Sequence, residues 1–478
     1  MRHSTKNLLN WKPEAEGERQ QMSRLYTDLL GLEDAVNNNE FIIMGRKGSG
    51  KSAYAVHLQA LAENPENMIS CESINPHEIQ LERLINVVDD GTTDYTALLE
   101  WLILTKFVSL ILGTKDGKQN KNYQDLAYFY KNTSGHIEFT KDTIVETIRE
   151  REFNISALNS INAKAGKQTV SKNYKAPFLT MVNSLRDVVC ETLSMDVYRK
   201  YTFYILIDDL DIDFSLKDSQ SKQRLLSLLR IVCKYNTNYL LGTSSKILIF
   251  VRNDIANKIS AVGGDSQKLL DSYGYCINWY RNTDEENFLY KLINHRLFIT
   301  FVEKDISIPD GVEPWQLFAE DGYQQFKKIL DSTFYLPRDI INILNKSKDK
   351  NWTLPLSDKQ FSLLINEYAP SKFEEICNEL AASFNGEEIF AIKNVLYKIA
   401  SENRDRGDYM TYDRVLELLF SKNLNEEHFY ILVEHDLLVP VDNKNNLYFS
   451  YRKKKMYGTY DEYSYALPKV LYDLFCNN

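Results

Sequence analysis

One stretch constrains this chain more than any other: Phe41-Ile-Ile-Met-Gly-Arg-Lys-Gly-Ser-Gly-Lys-Ser52. It opens as an apolar run, Phe41 to Met44, of the kind that forms a short buried strand. Gly45-Arg46-Lys47-Gly48-Ser49-Gly50-Lys51-Ser52 follows and fits G-x-x-x-x-G-K-[ST]. Ala53, Val56, Leu58, Ala60 and Leu61 then give a helical pattern. Glycines let the backbone curl until successive N–H groups point at one anion, and the helix start adds its positive dipole end. In such a loop Lys51 reaches the β- and γ-phosphates of ATP and the Ser52 hydroxyl ligates Mg²⁺. A plain Gly/Lys-rich turn after an edge strand is the alternative; flanks and spacing together argue against it.

A second apolar strand ends in two carboxylates, Thr202-Phe-Tyr-Ile-Leu-Ile-Asp208-Asp209. Asp208 is placed to hold the Mg²⁺ shell and Asp209 to polarise an attacking water. The alternative is an acidic strand-to-loop turn. Asp211 and Asp213 follow, as metal support or, more simply, as turn caps. Lys246-Ile-Leu-Ile-Phe-Val-Arg252 is a third apolar strand that delivers Arg252, a forked, permanently charged reader for a γ-phosphate. It could instead pair with Asp254 or Asp208. Arg338 follows Pro337, a helix-start signal, so a helical lid would present it to bound nucleotide; a surface arginine is the alternative.

These motifs, with the sequences Ile-Asp-Asp-Leu-Asp, Phe-Val-Arg-Asn-Asp-Ile and Leu-Pro-Arg-Asp-Ile-Ile, resemble prokaryotic P-loop ATPases near the STAND and origin-recognition-like AAA+ groups. The resemblance spans roughly residues 10–475. It implies an ATPase core, a small helical lid and a C-terminal winged helix. It also implies ATP acting as a switch between states, through slow hydrolysis, and a role in bacterial defence against phage. Such ATPases usually carry Glu where Asp209 stands. The long interval between Ser52 and Asp208 leaves room for a helical insertion. The expectation is that a sensor or effector is another chain or is absent, and that the chain works with a protein partner or by self-assembly.

Alternating apolar strands and amphipathic helices predict an α/β fold with a parallel sheet covered on both faces. The expected division is 1–39 as an N-terminal helical segment docking on the core, with one helix over Met22–Val36. The P-loop core is 40–283, with a mostly helical insertion at about 113–200. Helical patterns at 124–132 and 139–151 lie in that insertion. A lid is expected at 284–386, with separate helices at Asp358–Glu367 and Phe373–Phe384. A winged-helix-like domain is expected at 387–478, with a hairpin of Leu437–Val441 and Leu447–Arg452.

Charge bears on partners. The chain of 478 residues carries a net charge of −9, so no overall basic field draws it to nucleic acid or anionic lipid. Residues 153–186 contain Lys164, Lys167, Lys172, Lys175 and Arg186 and no acid: a solvated loop, or a nucleic-acid or acidic-partner contact. The region 387–478 has 12 Lys/Arg against 15 Asp/Glu, and the third helix of its winged helix starts Asn425-Glu-Glu. Regulation or protein contact is therefore expected there before duplex DNA; only Arg452-Lys-Lys-Lys455 at the wing is basic. A DNA-bound initiator or loader is the rival reading. Six scattered cysteines give no zinc spacing and suit a reducing compartment. With no signal-peptide pattern and no membrane span expected (Trp101–Leu112 is short and broken by Lys106), a cytoplasmic location is expected.

Overall fold

The computed structural model describes residues 3–74, 95–133, 178–208, 210, 219–260, 264–280, 287–381, 383–406, 409–452, 456 and 458–477. The expected helix at 139–151, the basic residues 153–177, Asp209, Asp211, Asp213 and Lys453–Lys455 lie outside them. By contacts the chain separates into two units.

One unit comprises Arg19–Lys47 and Lys51–Ile277. Its centre is a parallel sheet of β1 (Ile42–Gly45), β2 (Ile69–Ile74), β3 (Thr202–Ile207), β4 (Lys246–Arg252) and β5 (Gly274–Cys276), in the order β2-β3-β4-β1-β5. The middle strands are buried on both faces: Ile42, Ile43, Phe203, Ile205, Ile247 and Ile249 have no exposed area. That explains their continuous apolar runs, because helices cover both sides of a parallel sheet. The edge strand β2, Ile-Ser-Cys-Glu-Ser-Ile, is half polar.

The covering helices of this unit are α1 (Met22–Leu25), α2 (Leu32–Asn37), α3 (Lys51–Ala62), α4 (Tyr95–Gly113), α5 (Lys121–Thr133), α6 (Phe178–Ser194), α7 (Ser219–Lys234), α8 (Asn253–Ser260) and α9 (Gly264–Tyr273). Among the described residues α4 alone is long and apolar enough to cross a membrane by length and composition. It packs against β2, β3, α6 and α7, and 72% of its apolar window is buried. The single helix expected over Met22–Val36 is two. Gly31 takes a left-handed φ of 75°, and the Asp28 carboxylate accepts from the N–H groups of Leu32 and Glu33 at 2.9 and 2.8 Å, starting α2 afresh.

The other unit comprises Met1–Glu18, Gly48–Gly50 and Asn278–Asn478. The N-terminal segment is thus shared between the units rather than grouped whole with the sheet. Its first residues lie along 348–354: Thr5 N–H donates to the Trp352 carbonyl at 2.8 Å, and Leu354 N–H to that of His3 at 2.9 Å. The buried Glu18–Arg296 ion pair fixes the other end. The helices are α10 (Phe288–Glu303), α11 (Pro314–Phe318), α12 (Tyr323–Asp331), α13 (Pro337–Asn345), α14 (Asp358–Leu380), α15 (Gly386–Arg406), α16 (Tyr412–Phe420), α17 (Glu426–Glu434) and α18 (Lys469–Asn477).

Two expectations fail here. The helices expected at 358–367 and 373–384 are one helix, α14, running through Pro370. An interior proline costs about 3 kcal/mol. Burial of Phe361, Leu364, Tyr368, Ala369, Ile376 and Leu380 along one face outweighs that, while Pro370 itself stays exposed. The hairpin expected from 437–441 and 447–452 does not form. β6 (Met410–Thr411), β7 (Val439–Val441) and β8 (Ser464–Ala466) make an antiparallel sheet in the order β6-β8-β7. Leu447 makes a single bridge to Val441. Asp436 draws the following chain away, accepting from the N–H and hydroxyl of Ser450 at 2.6 and 2.7 Å.

Candidate functional site

In the sheet unit the motifs gather at the carboxyl ends of the strands. β1 runs into the glycine-rich loop, and α3 begins at Lys51. Gly45 pairs in register with Arg252 on β4, so Arg252 emerges next to the start of the loop. Asp208 follows β3 directly, on the far side of β4. In open parallel sheets ligands bind at this end of the strands.

Lys51 is 8% exposed. Its ammonium donates to the carbonyls of Gly45 at 3.0 Å and Arg46 at 3.1 Å, so the charge sits at the centre of the loop that the motif predicts. Gly50 has φ of 99°, open only to glycine at low cost. Ser52 and Ala53 occupy the first turn of α3, partly exposed. Arg46 and Lys47 are partly exposed on the loop.

Arg252 makes a two-point ion pair with Asp254, Nε to Oδ1 and Nη2 to Oδ2, both at 3.0 Å. That is the structural pairing which the sequence left open, although the residue still lies beside Gly45. The expected water-polarising Asp209 lies outside the described residues.

The loop apex, Gly48–Gly50, belongs to the unit that contains Arg338. Gly48 has φ of 77°, and a Cβ there would stand 3.0 Å from the Arg338 Cβ and 3.3 Å from its Cδ. Arg338 therefore lies flat against the apex of the loop. It leaves the first turn of α13, as Pro337 predicts. Its Nη2 faces Glu14 Oε2 at 3.3 Å and its Nη1 faces Glu375 Oε1 at 3.6 Å. Its Nε is buried with no hydrogen-bond partner. The Trp279 indole N–H donates to the Ser49 carbonyl at 2.8 Å. Ser49 is 2% exposed.

Sequence reasoning missed three of these residues. Trp279 reads as a core aromatic at the end of a strand. Glu14 and Glu375 read as ordinary surface acids, and no local pattern marks either as a partner of Arg338. Among the described residues no group of His, Cys, Asp and Glu has the arrangement to hold a metal by itself. A metal carried on phosphate oxygens needs fewer protein ligands. Ser52 and Asp208 are the side chains suited to that role, both hard oxygen donors.

No family model matches this chain. No curated protein matches it either. Among solved structures it is similar to the Aeropyrum pernix ORC2 protein in its ADPNP–ADP complexes. Identity is 12%, the alignment covers 96% of this chain and 93% of that one, and the TM-score is 0.37. A likeness at that level carries no functional argument.

Proposed function

We propose that the chain binds Mg²⁺–ATP at the glycine-rich loop and works as a slow ATPase, using the nucleotide as a switch. The observation that carries this reading is the placement of two cationic side chains at the carboxyl ends of the sheet strands. Lys51 sits within the glycine-rich loop and Arg252 stands beside its first residue. A triphosphate is a fitting anionic counterpart for such a loop at a helix start. Ser52 and Asp208 would hold Mg²⁺, and Asp209 would polarise the water. ADP lacks the γ-phosphate, so an arginine reader such as Arg338 would distinguish the two nucleotides. The wider placement near AAA+ and STAND ATPases, and with it a setting in phage defence, rests on the motif resemblance alone.

Phosphate release tests this reading. Asp209→Asn is expected to keep ATP binding and to slow turnover by about two decades or more. Asp208→Asn is expected to weaken Mg²⁺-dependent binding instead. Wild-type turnover in both variants would overturn the assigned roles.

We read 284–386 as a helical lid and 387–478 as a winged helix. The second assignment supports the rival reading, a DNA-bound initiator- or loader-like ATPase. The observation in favour of that assignment is the succession α15, β6, α16, α17, β7, β8 with β8 central in its sheet. Against DNA stands α17, whose first turn carries Glu426 and Glu427. Glu426 is also engaged by the hydroxyl groups of Tyr412 and Tyr430. DNA-stimulated hydrolysis that falls steeply with salt would establish the rival. Stimulation by a protein partner, indifferent to DNA, would support the switch.

A further inference from the structure

Arg452 ends a short helical turn, Ser450–Arg452. Its guanidinium carbon lies 5.3 Å from the centre of the Tyr280 ring, 4.7 Å from that of Phe449 and 5.9 Å from that of Tyr451. Its Nε is buried with no hydrogen-bond partner, so ring faces are what the charge meets there. Tyr335 completes the cluster. Its ring stacks on Tyr451 at 5.3 Å and meets Tyr280 edge-on at 5.2 Å. Tyr335 has a φ of 55°, a left-handed backbone that a bulky residue keeps only where its surroundings impose it.

Hydrogen bonds tie the cluster down. Asp436 fixes Ser450 by its N–H and hydroxyl. The Asn278 amide donates to the Tyr451 carbonyl at 2.9 Å, and its oxygen accepts from the Tyr280 N–H at 2.9 Å. Between these two residues Trp279 donates to the Ser49 carbonyl. Three consecutive residues therefore join the segment 449–452 to the apex of the glycine-rich loop, and all of these residues belong to one unit. The C-terminal region has a separate anchor: α18 packs on α14, with Phe475 edge-on to Phe373 at 5.1 Å. Loosening the aromatic cluster leaves that anchor in place.

We propose that Tyr451 and Arg452 are positioning residues for the glycine-rich loop: through Asn278–Tyr280 they hold its apex at Ser49. Trp279 can shape the apex only as firmly as its own backbone is held. Its two chain neighbours are both fastened to 451–452, one by a hydrogen bond and one by a cation–π contact. The state of the C-terminal region thereby sets the order of the loop apex. The consequence for nucleotide rests on the reading of the loop as a nucleotide site: loosening the cluster weakens ATP and ADP alike.

Hydrogen exchange of the full chain, followed by mass spectrometry, tests the link without nucleotide. Arg452→Ala is expected to speed exchange about threefold or more at 278–280 and at Ser49–Gly50, and to leave α14 and α18 unchanged. Arg452→Lys, which keeps the charge but not the flat face, restores part of the protection. In a Trp279→Phe background Arg452→Ala still speeds exchange at 278–280 but adds nothing at the apex, a split that general destabilisation would not give. Should Arg452→Ala also expose α14 and α18, Asn278→Ala, which removes one side chain's hydrogen bonds, is read in its place. Faster exchange at 278–280 with an unchanged apex would overturn the proposal. Calorimetry with Mg²⁺–ATP and Mg²⁺–ADP then separates the two readings: Arg452→Ala is expected to weaken both about threefold. If the wild type binds neither nucleotide while the exchange pattern holds, the nucleotide site is wrong and the link stands.

Discussion

Trp279 holds the apex of the glycine-rich loop by one hydrogen bond, from its indole N–H to the carbonyl of Ser49 at 2.8 Å. The ring is 8% exposed, so water offers a poor substitute for that bond. Trp279→Phe retains most of the packing and deletes the donor. A neutral hydrogen bond contributes about 0.5–1.5 kcal/mol. ATP and ADP are both expected to bind about three- to tenfold more weakly, with the ratio between them unchanged, as measured by calorimetry. A selective loss of ATP alone would mean that Trp279 acts on the γ-phosphate rather than on the loop.

Gly48 is constrained twice, by its φ of 77° and by the Arg338 side chain 3.0 Å from where a Cβ would stand. Gly48→Ala therefore strains the backbone by roughly 1–2 kcal/mol and pushes Arg338 off the apex. Nucleotide affinity is expected to fall by about tenfold or more, with a thermal midpoint only a few degrees lower. Binding at wild-type strength would show that the apex does not need this conformation.

What local chemistry dictates was legible in the sequence. The loop, its flanking strand and helix, and the Asp208 and Arg252 strands follow from runs of residues that must be buried on both faces. The start of α13 follows from Pro337. What long-range contacts decide was not. Glu14 meets Arg338 across 324 positions, and Trp279 meets Ser49 across 230. The alternation at 447–452 suggests a strand, but Asp436 captures Ser450 and Ser464–Ala466 takes the place beside β7. Pro370 suggests a helix end, but the buried face of α14 carries the helix through it.

His57, on α3, supplies a pH prediction. Its ring is 7% exposed and stacked on Tyr26, with centroids 4.2 Å apart. Burial lowers its pKa below the ordinary histidine value of 6.5, against smaller upward pulls from a Met22 backbone hydrogen bond and Asp28. The folded state thus binds this proton less readily than the unfolded chain. The contribution is full above pH 6.5 and is lost as pH falls through that value towards the lowered one. His57→Phe keeps the stack and removes the proton site. The wild type is expected to lose more urea stability than the variant between about pH 7.5 and pH 5.5. Parallel losses would show that His57 binds its proton equally in the folded and unfolded states.

The central claim is that Lys51 and its loop bind nucleotide, and equilibrium titration of the full chain with ATP in Mg²⁺ tests it most directly. Lys51 places its ammonium on the carbonyls of Gly45 and Arg46, at the centre of the loop. Lys51→Ala removes that charge and is expected to weaken binding by about a hundredfold or to abolish it. Saturable binding by the wild type with that loss in the variant is the result this account predicts. Equal binding by both, or none by the wild type, would contradict it.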